Sequence, residues 1–128
     1  MRTAAQDLWP TEIGEYPHVS PVSILKQQAS RLGSRTRNRV YARVESVAAG
    51  DEFVHQFIIV ANALNYESPL FTVTHGIDFY PLQMDVDGCG GVLPTAASEQ
   101  EFIGVLEDLF HSERTTRRIN SLLAQLEG

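Results

Sequence analysis

The chain has 128 residues, 43% of them hydrophobic and 9% aromatic, with a formal net charge of −6 and a pI of about 5.1. That length and composition fit one globular domain, long enough to bury a core without a disulfide or metal, and exclude a disordered chain. The single cysteine, Cys89, excludes an internal disulfide, and neither an apolar leader in residues 1–10 nor a bilayer-length apolar run is present, so a soluble, cytoplasmic protein with no membrane partner is expected.

Residues 1–19 read as an irregular arm, because Trp9-Pro10, Tyr16-Pro17 and Pro21 interrupt any helix. Residues 20–128 read as a single α+β domain. Ser20 is a suitable N-cap with Pro21 at the first helical position, and Val22, Leu25, Ala29 and Leu32 share one face. The pattern predicts a helix over 21–32, ended by Gly33 in a left-handed C-cap. A polar, basic loop follows at 34–39. Alternation predicts a strand over 40–47, Gly50-Asp51 supplies the turn, and β-branched and aromatic residues predict a buried strand over 53–61, together an antiparallel hairpin. A turn at 65–69 leads to a third strand over 70–75. Gly76 reads as a bulge or bend, and a fourth strand follows over 79–86, with Pro81 at an edge or at the strand's start. Residues 87–97 form a Gly-rich loop. Ser98 and Glu101 make a capping box for a helix to about residue 110. A second apolar stripe at Ile119, Leu122, Leu123 and Leu126 continues that helix or begins another at Ser112. The expected architecture is an N-terminal helix, a four-stranded mainly antiparallel sheet, and one or two C-terminal helices packed on one face.

Charge is segregated along the chain. Residues 26–43 hold Lys26, Arg31, Arg35, Arg37, Arg39 and Arg43 and no acidic residue, a charge of +6. Residues 44–113 hold no Lys or Arg and carry −12. Either the basic segment pairs with the acidic strands inside the molecule, or the two regions face partners.

Motifs that carry chemistry are sparse. Asp85, Asp87 and Gly88 match part of a calcium loop, but the same template places ligands at Gln83 and Pro94, which cannot serve. No metal-ligand spacing, P-loop or cysteine-hydrolase signature occurs, so no metal or cofactor is expected. His75 and Asp78, three residues apart around Gly76, with Tyr80 and Cys89, form a candidate ligand pocket or small enzyme site. Arg35, Arg37 and Arg39 form a candidate anion site. Nucleic acid would use such arginines with Tyr41 as a stacking neighbour, but an acidic pI opposes that role.

The stretches Tyr16-Pro17 through Gly33, Ala63-Leu64-Asn65-Tyr66 and Thr74 through Leu82 resemble a group of small uncharacterised bacterial proteins. The resemblance implies a bacterial setting and no particular chemistry. The leading functional expectation is a protein-interaction domain, in its sharpest form an immunity or antitoxin-like inhibitor. It would cover a basic partner through Glu45, Glu52, Asp78, Asp85 and Asp87. The alternatives are the pocket at His75 and Asp78, and third, nucleic-acid contact through residues 31–43. Segregated charge also favours a homodimer.

Overall fold

A computed structural model of the protein describes residues 6–86 and 94–127. Helix α1 spans Pro21–Arg35 and opens as its residues dictate: the Ser20 hydroxyl accepts from the Ser23 N–H at 3.2 Å, with Pro21 behind the cap. It runs one turn beyond the expected end. Gly33 is helical, and the chain reverses instead through Arg37 and Asn38, at φ 56° and 61°. The cap is Thr36, whose buried hydroxyl donates to the Val40 carbonyl and accepts from the Val40 N–H. The Asn38 N–H reaches the Gly33 carbonyl at 2.7 Å, and a Cβ added at Gly33 would stand 2.9 Å from the tip of the Asn38 side chain.

Strands β1 (Tyr41–Ala49) and β2 (Glu52–Ala61) form the expected hairpin around Gly50 at φ 63°. A 3-10 turn (Asn62–Leu64) then reverses the chain through Asn65 into β3 (Tyr66–His75). β4 (Leu82–Val86) begins after a cis Tyr80–Pro81 bond. A fifth strand, β5 (Thr95–Ala96), corrects the expected count of four: its two residues, too few to show any periodicity, pair with Leu82 and Gln83. The sheet is an antiparallel meander in the order β1-β2-β3-β4-β5. A bulge lies at Leu70, where the β2–β3 register slips between Phe57 and Ile58, and Gly76 opens the bend after β3, its carbonyl accepting from the Phe79 N–H at 3.2 Å.

Helix α2 (Glu99–Phe110) starts at Ser98, whose hydroxyl accepts from the Glu101 N–H, while Glu101 returns to the N–H of Ala97, one residue ahead of the cap. Ser112 separates it from α3 (Glu113–Glu127) and accepts from the Thr115 N–H, so the C-terminal region is two helices. Leu25 of α1, Phe102 and Leu106 of α2 and Leu122 of α3 share one core with Phe57, Ile59, Phe71, Val73, Leu82 and Met84. Within it Phe57 and Phe71 stack at 5.0 Å, with Phe110 against both. By register all those strand residues point to one face of the sheet.

No described helix is long and apolar enough to cross a membrane.

Candidate functional site

With the helices gathered on one face, the other face carries the alternate residues of each strand. These are Tyr41, Arg43, Glu45 and Val47 of β1; Glu52, Val54, Gln56, Ile58 and Val60 of β2; Glu67, Thr72 and Thr74 of β3; and Gln83 and Asp85 of β4. None of them belongs to the core shared with the helices. Four carboxylates, Glu45, Glu52, Glu67 and Asp85, stand exposed on this face against one guanidinium, Arg43, leaving it a formal −3.

Arg43 organises two of the four. Its Nη1 and Nη2 donate to the Glu67 carboxylate at 3.2 and 2.8 Å, and its Nε donates to Glu45 at 2.8 Å. The bidentate geometry suits the planar fork of arginine. Those hydrogen bonds, and then the charge of Arg43, hold the Glu67 carboxyl below its ordinary range. Glu52 and Asp85 have no cationic partner among the described residues. Val47, 59% exposed, and half-buried Val54 lie opposite each other on β1 and β2, next to Glu45 and Glu52, so the face combines an apolar pair with fixed and free carboxylates.

The other expected site residues disperse. Asp78 lies in the β3–β4 connection, off the open face. Asp87 and Cys89 lie outside the described residues. Tyr80 turns into the helical side near Phe102, and its phenol is pushed up to about 12 by burial and then by Glu99. Arg39 binds Glu127 at 3.0 Å, and Arg43 is committed to the sheet, so these two arginines pair inside the molecule. Arg31, Arg35 and Arg37 pair with nothing among the described residues.

His75 meets a different partner from the one its sequence neighbours suggest. On the helix-covered face, Ser46 Oγ lies 2.7 Å from His55 Nδ1, and His55 Nε2 lies 2.9 Å from His75 Nε2. The chain ends where His75 Nδ1 meets the Gly76 carbonyl at 2.6 Å. A carbonyl only accepts, so His75 carries its proton on Nδ1 and accepts at Nε2; His55 then donates from Nε2 and accepts the Ser46 hydroxyl at Nδ1. Both rings are buried. Burial first, then His75 and Lys26 of α1, lower the pKa of His55. The arrangement satisfies every ring nitrogen, and no group of three or more metal-ligating side chains occurs among the described residues.

Part of this chain was open to sequence reasoning. A two-residue turn at Gly50-Asp51 sets Ser46 opposite His55. The approach of His75 was not accessible, since it depends on the register of a second hairpin that contains a bulge.

No family model, curated protein or solved structure matches the chain.

Proposed function

We propose that the protein is a binding module that docks a basic protein on its open sheet face, in the manner of an immunity or antitoxin-like inhibitor. One observation carries this reading: all three helices cover one face of the sheet, and the face they leave open holds four carboxylates and one arginine. Such a field attracts a cationic partner and speeds its encounter, while like-charged proteins are turned away. The Arg43 fork reduces the entropy lost on binding, because two of the carboxylates already sit in fixed positions. The pair at Val47 and Val54 supplies apolar area that charge alone lacks.

The test is charge reversal at the two unpaired carboxylates. Glu52→Lys with Asp85→Lys turns the face from −3 to +1 and breaks no ion pair among the described residues. The control is Glu107→Lys with Asp108→Lys on the exposed side of α2. Tagged wild-type protein and both variants are incubated with bacterial lysate at low salt, and captured proteins are quantified and their affinities measured. A basic protein held by wild type and control, weakened at least about tenfold by the sheet variant and released by salt, is the expected result. If every captured protein binds the sheet variant as tightly as wild type, the open face is not the docking surface.

A further inference from the structure

Two of the unpaired arginines, Arg31 and Arg35, lie on the helix-covered side of the sheet, at a cleft between α1 and the α2–α3 junction. The cleft encloses about 560 Å³, within the range of small-molecule sites. Phe57, Leu70 and Phe110 form an apolar floor. Arg31 and Arg35 of α1 line its edge, with His111 across from them at the end of α2. No acidic side chain lines it among the described residues.

Arg31 and Arg35 are four residues apart, so they stand one turn apart on the same side of α1. Like charges at that spacing destabilise a helix, and neither has a hydrogen bond or ion pair among the described residues to offset this. Arg39 and Arg43, further along, are both neutralised. Unneutralised cations therefore collect at the lip of an apolar cavity. Two guanidinium groups can grip one carboxylate or phosphate from two sides, and the floor removes an attached hydrocarbon from water.

We propose that this cleft binds a small amphipathic anion, an apolar chain or ring with one carboxylate or phosphate head. The head lies between Arg31 and Arg35, and the apolar body lies over Phe57, Leu70 and Phe110. The site is independent of the open sheet face and does not require a protein partner.

Calorimetric titration of the full chain at low salt with decanoate, decyl phosphate, decanol and inorganic phosphate tests it. Saturable one-site binding of decanoate or decyl phosphate is expected, and which of the two binds tighter identifies the head group. Decanol and inorganic phosphate, each lacking half of the chemistry, bind at least tenfold more weakly. Arg31→Gln with Arg35→Gln weakens the anionic amphiphile at least tenfold and leaves decanol unchanged. Ile119→Trp, which narrows the cleft from α3, weakens amphiphile and decanol alike. Glu52→Lys with Asp85→Lys leaves all four titrations unchanged, which separates this site from the docking face. Absence of saturation by either amphiphile overturns the proposal. So does inorganic phosphate binding equally well, or a double glutamine variant that binds like wild type.

Discussion

The Tyr80 hydroxyl is buried with no hydrogen-bond partner among the described residues. A phenol taken from water without a new partner costs about 1–3 kcal/mol. Tyr80→Phe keeps the ring against the core and removes that burden. It is expected to raise stability by about 1 kcal/mol, read as a higher denaturant midpoint at unchanged slope. A loss of similar size would mean that the hydroxyl is bonded after all. The neighbouring residue shows the opposite balance. Phe79 adopts φ 73°, with the Tyr80 N–H reaching the Asp78 carbonyl at 2.8 Å, a tight turn that a bulky residue rarely tolerates. What offsets its strain is aromatic contact, since Phe79 meets His75 edge-on at 5.6 Å and Tyr16 at 5.2 Å. The Ser46–His55–His75 chain, with its two buried imidazoles, and this turn therefore hold one end of the sheet together.

Within α1, Gly33 separates two accounts of where the helix stops. A left-handed C-cap at Gly33 would make Gly33→Ala destabilising by 1 kcal/mol or more, roughly the cost of placing a Cβ in that conformation. In the structure Gly33 is helical, and an added Cβ meets only the end of the exposed Asn38 side chain at 2.9 Å and Tyr41 Cβ at 3.7 Å. Asn38 can rotate away, so Gly33→Ala is expected to stabilise by about 0.5–1 kcal/mol through helix propensity. Thermal unfolding of the variant gives the sign. Elements with a local cause were legible: the caps at Ser20 and Ser98, the Gly50-Asp51 hairpin, the alternation of β1 and the β-branched, aromatic run of β2. Where two local signals competed, the stronger local cap settled the matter, as when the Thr36 hydroxyl and Val40 captured the end of α1 beyond Gly33. Features made by pairing distant segments were hidden: β5 exists only because Leu82 and Gln83 pair with it, and the His55–His75 contact depends on the bulged register of β2 and β3. The acidic residues Glu45, Glu52 and Asp85 were legible individually. Their shared face follows from the register of three strand pairs.

For the whole molecule, the open sheet face carries a formal −3, and Arg31 and Arg35 stand unpaired among the described residues at the helical cleft. Net charge falls toward zero as pH drops toward the pI of about 5.1, and relief of repulsion alone would make the protein most stable there. The buried His55 opposes that trend. Its folded pKa is lowered below the ordinary 6.5, so between those two values the unfolded chain binds more protons than the folded one. Unfolding free energy then rises with pH: the stabilisation is complete above about pH 6.5 and is lost as pH falls toward the folded value. One proton limits the slope to about 1.4 kcal/mol per pH unit. In stronger acid the loss continues with the same sign, because Glu67 is held below its usual value by Arg43 and its contribution disappears as it protonates. The unfolding midpoint is therefore expected to fall between about pH 7.5 and 5.5, on the order of a few degrees per unit, although net charge is shrinking. His55→Gln, which cannot take up a proton, should flatten the profile in that window and leave the steeper loss in stronger acid. A wild-type midpoint that climbs toward the pI, or a variant as steep as wild type, would mean that surface repulsion outweighs the buried imidazole.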